Sequence, residues 1–389
     1  MNATHGARLT PLSRRELLAV PGLVGMAAVV GIRPFSSERV VYVGTYTGET
    51  SKGIYAFRFD DSSGGLTPLG LVAETLSPSF LTASANGRFV FAVNELQSFR
   101  GAASGAVTSF AADPVTARLT QISVQPSRGA GPCHLALDRT GRYLAVANYG
   151  GGNFALFPVG ADGRLQLATS VVAGDGSEPG RSQPAGPLGH MVGFDARNRF
   201  LIAADKGLDR LLVYRFDASK GVLAPNQPPS AALPPGFGPR HFAFHPNGRW
   251  LFAISEQAAT ITTFAWNQES GRLTASGSES TRPASVTTGS TAEIAVHPSG
   301  RFVYGSNRGH DSIAVFTVGV GGALTLVEYQ STRGQTPRNF ALDPTGRWLI
   351  AANQGSGTLS VFSVDQTTGA LSPVGPLTSV GSPVSILFM

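Results

Sequence analysis

The sequence predicts an all-β protein, a seven-bladed β-propeller whose ring is closed by strands from both chain ends. Three observations carry this reading: a segment that recurs six times at roughly fifty-residue spacing, a four-strand pattern within each recurrence, and unmatched strands at the two termini.

The recurring segments are PSFLTASANGRFVFAVNE from Pro78, PCHLALDRTGRYLAVANY from Pro132, LGHMVGFDARNRFLIAAD from Leu188, PRHFAFHPNGRWLFAISE from Pro239, TAEIAVHPSGRFVYGSN from Thr291 and TPRNFALDPTGRWLIAAN from Thr336. Each reads as a short strand, a turn of the D-P-x-G-R type, an apolar strand and a polar loop. A third alternating strand such as LLVYRFD follows, then a fourth after a Gly-x-Leu turn such as GRLTASG. Both faces of the inner strands are apolar, which suits sheets stacked face to face rather than a sandwich with one wet face. VVYVGTY, GIYAFRFD and LTPLGLVA near the N-terminus lack a first strand, and SPVSILFM at the C-terminus is a first strand with nothing after it. Together they complete the seventh blade and leave no open edge.

Residues 1–37 read as a separate unit ahead of the propeller of residues 38–389. LSRRELLAVPGLVGMAAVVGIRPFSS places Arg14 and Arg15 before an apolar run of about 16 residues, the length of an export-signal core rather than of a membrane span. The pattern resembles a twin-arginine signal, which implies export of a folded protein to the periplasm or exterior. No A-x-A cleavage motif follows, so the segment could stay as a membrane anchor; a leader that does not function leaves the protein cytoplasmic. The net charge of +6 is spread, with no run of five like charges, and does not point to nucleic acid. Cys133 is alone, so no internal disulfide forms. Nothing in the sequence specifies an oligomeric state.

In a propeller, the start of a blade's first strand and the loop after its second lie on the same face. That places Tyr46, Glu95, His134, Asn148, His190, Arg240, His241, Glu256, Glu293, Arg308, Arg338 and Gln354 around one mouth of the channel. On the opposite face His245 and His297 fill the turn position held by Asp138 and Asp343 in other blades, and are read as turn residues. The mouth residues differ from blade to blade, as an asymmetric ligand requires.

YVGTYT, GPRHFAFHPNGRWLF, AEIAVHPSGRFVYGSNRGHDSIAVF and TPRNFALDPTGRWLIAANQ resemble the seven-bladed lactonase family, which includes bacterial 6-phosphogluconolactonase and the fungal carboxymuconate lactonizing enzyme. The likeness runs from Val40 to Met389. It implies His190, Arg240, Glu256 and Arg308 as the catalytic group, surrounded by the other mouth residues as substrate contacts. Two departures stand out: the Glu lies in Ser255-Glu256-Gln257 rather than Asn-Glu-Leu, and the family's P-H-x-H is reduced to Pro187-Leu188-Gly189-His190.

The expected chemistry is opening of a sugar lactone. Glu256 or His190 would activate water as general base, and Arg240 with Arg308 would stabilise the oxyanion. Arg338, and Arg210 in the loop that begins at Asp205, would clamp a phosphate or carboxylate. No cofactor is expected, and Arg at the mouth argues against a metal. Cyclisation of a muconate and a non-catalytic exported ligand-binding propeller are the alternatives; a panel of lactones separates them from hydrolysis.

Overall fold

The computed structural model describes residues 38–174 and 186–389. Residues 1–37, read above as an export signal or anchor, lie outside these residues. The described chain forms seven four-stranded antiparallel sheets, in which each strand pairs with its sequence neighbour except at the ring closure. We number the blades by their first strands: Phe80–Ala83, Pro132–Leu137, Gly189–Phe194, Pro239–Phe244, Ser290–Val296, Pro337–Leu342 and, for blade 7, Pro383–Phe388.

Closure follows the sequence reading. Pro383–Phe388 pairs antiparallel with Glu38–Thr45, setting Val41 opposite Phe388 and Val43 opposite Ile386. Gly53–Asp60 and Leu66–Glu74 complete blade 7. The N-terminal and C-terminal parts of the propeller thus meet within one sheet, and blade 7 is held shut by backbone hydrogen bonds between its first and second strands.

Why the inner strands carry apolar residues on both faces is visible in the packing. Seven apolar clusters fill the seven interfaces between neighbouring blades. Phe200–Asp205 and Trp348–Asn353 are buried along their whole length, whereas the fourth strand Arg272–Ser280 is almost wholly exposed. Burial therefore falls from the channel outward, and the fourth strands alternate only weakly because just one end of each sheet faces water.

His245 and His297 occupy turns on the face opposite the site, as expected, and each also staples its blade to the next. His245 Nε2 meets the Gly300 carbonyl at 2.8 Å, and His297 Nε2 meets that of Gly346 at 2.9 Å. Gly300 and Gly346 have φ of 75° and 72°, and a Cβ at either would collide with the imidazole.

The first strands hold a feature that the sequence pattern does not display. In blades 2, 3, 4 and 6 the pairing slips by one residue at the strand's start, between Pro132 and His134, Gly189 and Met191, Pro239 and His241, and Pro337 and Asn339. The extra residues are Cys133, His190, Arg240 and Arg338. A bulge re-aims the side chain that it inserts, and these four stand between the mouth and the next ring of residues inward.

Candidate active site

Three stacked rings of side chains build the channel from the mouth inward. The outermost holds one residue per blade: Tyr46, Glu95, Tyr149, Lys206, Glu256, Arg308 and Gln354. A local backbone bond places each of them. The amides of Tyr46, Glu95, Tyr149, Lys206, Glu256 and Gln354 donate to the carbonyls of Ser382, Ser77, Gly131, Leu188, Gly238 and Thr336, which precede the first strands of the same blades. Arg308 sits opposite Ser290 in the corresponding pairing. The side chains vary freely because the backbone alone fixes the position.

Glu256 is the centre of the outer ring. Its Oε1 accepts from Lys206 Nζ at 2.9 Å and lies 3.3 Å from Arg308 Nη2, while Oε2 lies 3.3 Å from Arg240 Nε and 4.0 Å from His190 Nε2. The Arg240 contact is one of charge: Nε is buried and makes no aligned hydrogen bond. Burial pushes the Glu256 carboxyl upward, but Arg240, Arg308 and Lys206 outweigh it and hold the group down to about 2. Burial, reinforced by Arg240, keeps His190 well below the ordinary imidazole value. Its contact with Glu256 is therefore that of a neutral ring, whose buried Nδ1 has no hydrogen-bond partner.

Across the mouth, Tyr46 donates its hydroxyl to Glu95 Oε2 at 2.9 Å, and the Arg338 guanidinium lies 5.3 Å from the centre of the Tyr46 ring. Burial raises the Tyr46 pKa, so the phenol stays protonated. Arg338 makes no hydrogen bond or ion pair with the described residues. It lies against Tyr46 and within the field of Glu95, whereas Lys206, Arg240 and Arg308 face Glu256 directly.

The inner ring comprises Phe80, His134, Met191, His241, Glu293, Asn339 and Ser385. Several of these accept a hydrogen bond from the backbone of the following blade: His134 from Val192, Met191 Sδ from Phe242, Asn339 from Ile386 and Ser385 from Leu81. His241 Nδ1 lies 2.9 Å from Glu293 Oε1. Beyond this ring a cavity of about 390 Å³, lined by His134, Glu293, Asn339 and Asp343, opens toward the opposite face.

The structure thus brings together Tyr46, Glu95, His190, Arg240, Glu256, Arg308, Arg338 and Gln354 at the mouth, and sets His134, His241 and Glu293 one layer deeper. Two expectations are corrected. Asn148 is fully buried and spends its amide on the Ser127 carbonyl and Asn153. Asn94, Asn307 and Asn353 make the matching bonds to the carbonyls of Leu76, Thr281 and Thr332, so this Asn pins the crossover from the previous blade. Arg210 opens the third strand, paired with Asp205 one strand farther from the channel, and none of the Glu256 contacts runs to it. Lys206 was missed as a site residue, although its place in the repeat matches that of Glu256 and would have found it.

An apolar groove of about 530 Å³ between blades 3 and 4, lined by Leu233, Pro234, Phe237 and Ala258, carries no ionised group and offers nothing to polarise a carbonyl. Among the described residues no cluster of three or more His, Cys, Asp or Glu could hold a metal ion.

Seven four-stranded blades around a channel define a β-propeller, and this one carries a cluster of ionised side chains at one mouth of its ring. The chain belongs to the family Lactonase, 7-bladed beta-propeller, whose model matches residues 40–388. It is 35% identical to the 6-phosphogluconolactonase of Bacillus subtilis, over 91% of this chain and 99% of the relative. It is 31% identical to the 6-phosphogluconolactonase of Formosa agariphila, over 77% of this chain and 85% of the relative. The structure of the Pseudomonas aeruginosa periplasmic gluconolactonase PpgL superposes with a TM-score of 0.84 at 34% identity, covering 90% of this chain and 99% of that one.

Proposed function

We propose that the protein hydrolyses an anionic sugar lactone at the channel mouth, with Glu256 as general base and Arg240 and Arg308 as the donors to the developing oxyanion. The observation that carries this reading is the division of labour among the cations: three surround Glu256, and Arg338 lies across the mouth against Tyr46 with no hydrogen bond or ion pair among the described residues.

A carboxylate held near 2 is a weak base. An incoming lactone changes its surroundings, because the carbonyl oxygen competes for Arg240 and Arg308 as negative charge builds on it. Each cation drawn toward that oxygen raises the Glu256 pKa, so base strength rises as the transition state forms. Water attacks the carbonyl carbon and gives its proton to Glu256. The carbon to ring-oxygen bond breaks, and the proton passes to the departing oxygen, leaving the open hydroxy acid. Arg338 would hold the anionic tail equally in ground and transition states.

The relatives are named for phosphorylated and unphosphorylated gluconolactones alike, and Arg338 suits a phosphate or a carboxylate. Export through Arg14 and Arg15 favours the unphosphorylated class, and the likeness to a periplasmic gluconolactonase supports it. The test is a panel of neutral, carboxylated and phosphorylated lactones assayed at fixed pH against spontaneous hydrolysis. Acceleration of an anionic lactone that Glu256→Gln abolishes is the expected result. Rates equal to background across the panel would overturn the proposal.

A further inference from the structure

We propose that Glu293 and His241 are positioning residues for Arg240: the Glu293 carboxylate fixes the imidazole in its Nδ1–H form, so that Nε2 accepts from Arg240 and aims the guanidinium at Glu256. The inference rests on the lactonase reading above.

The geometry dictates the protons. Arg240 Nη1 lies 3.3 Å from His241 Nε2 and also donates to the Ala292 carbonyl at 2.7 Å. A guanidinium can only donate, so His241 Nε2 must present its lone pair. The ring is neutral, because burial together with Arg240 keeps its pKa well below the ordinary value. Its one proton is then on Nδ1, where it is donated to Glu293 Oε1 at 2.9 Å.

Glu293 in turn is fixed at both oxygens. Oε1 also accepts from the Ile294 amide at 3.0 Å, and Oε2 accepts from Asn339 Nδ2 at 2.5 Å. Asn339 cannot reverse its amide, since its Oδ1 accepts from the Ile386 backbone at 2.8 Å. Every donor around Glu293 therefore needs an acceptor, and only a carboxylate supplies two. Burial pushes its pKa up to about 6 against Arg240, the Ile294 amide, His134 and Asn339. The group is thus ionised at pH 7.5.

The chain of contacts runs from Asn339 in blade 6 through Glu293 in blade 5 to His241 and Arg240 in blade 4. It explains why an acid is buried beneath a site that already holds two others. Its place is below Arg240, away from the open mouth, so it acts through the guanidinium.

Glu293→Gln offers only one acceptor and turns its amide toward Asn339 or toward His241. We expect kcat at pH 7.5 to fall about 10-fold to 100-fold with KM nearly unchanged, since a misplaced donor costs the transition state more than the ground state. The pair Glu293→Gln with Asn339→Asp exchanges donor and acceptor, keeps the charge, and is expected to recover most of kcat. Nitrogen NMR of the wild type should show His241 neutral with its proton on Nδ1, a readout independent of turnover. Melting temperatures are recorded for all variants, and the exchange applies even where Glu293→Gln folds poorly. Wild-type kcat in Glu293→Gln, a His241 proton on Nε2, or a stable exchanged pair that stays inactive would each overturn the proposal. Absence of any lactonase activity in the wild type with the Nδ1 proton in place would instead overturn the functional reading alone.

Discussion

Glu256 and Lys206 hold the same position in adjacent blades and meet as an ion pair, Nζ donating to Oε1 at 2.9 Å. Arg308, in the next blade round, approaches the same oxygen at 3.3 Å. Three consecutive blades thus present a cation, an anion and a cation from one repeat position. Arg240 adds a fourth charge from the ring below.

Replacement of Glu256 by Gln keeps the shape and removes the base. We expect kcat on the best lactone to drop by about 100-fold or more with modest change in KM, measured by steady-state kinetics. Full activity in this variant would exclude Glu256 as base.

The same substitution also leaves Lys206, Arg240 and Arg308 facing one another without a counter-charge. It should destabilise the fold by up to about 3 kcal/mol, the scale of a broken buried pair, and added phosphate should restore part of the loss. Unfolding titrations with and without phosphate check this.

The pH dependence of that stability difference has a definite sign. Glu256 is held at about 2 in the fold against 4.5 for the free side chain, so between these values the native state binds fewer protons than the unfolded one. The stabilisation is therefore fully present above about 4.5 and disappears as pH falls toward 2. Denaturation of wild type and Glu256→Gln across this window should show their difference shrinking with acid.

Arg338→Ala should raise KM for anionic lactones and leave kcat nearly unchanged, because Arg338 contacts neither Glu256 nor the path of the proton from water to that carboxylate. A neutral lactone should be unaffected. Equal effects on neutral and anionic substrates would remove Arg338 from the role of tail clamp.

Deletion of residues 382–389 removes the strand that pairs with Glu38–Thr45 and takes Ile386 from one interblade core and Leu387 from the next. The opened ring should melt far below the full-length protein, as followed by calorimetry.

Replacement of Arg14 and Arg15 by Lys should leave folded protein in the cytoplasm, as read by fractionation of cells expressing the two forms. Undiminished export would refute the twin-arginine reading.

What the sequence by itself determined is the part of the structure that is local and repeated. Turn chemistry at GRW or GRF, strand alternation and the roughly fifty-residue period are set within each blade, so six copies and the split seventh blade at the ends could be read directly. The same local logic put Glu256, Arg240 and Arg308 on one face, because a strand's direction fixes which end its loop occupies. The tertiary structure alone decided which of these groups touch. Lys206 and Glu256 are 50 residues apart in the chain, as are Arg240 and Ala292 to within two, and only closure of the ring brings them within bonding distance. The bulges decided the rest. One inserted residue at the start of a first strand moves every following side chain to the other register. His190 and Arg240 are the inserted residues of their blades and stand together beside Glu256, with Met191 and His241 one layer deeper; the repeat aligns them in pairs, but the slip that turns the first pair toward the mouth shows only in the strand pairing.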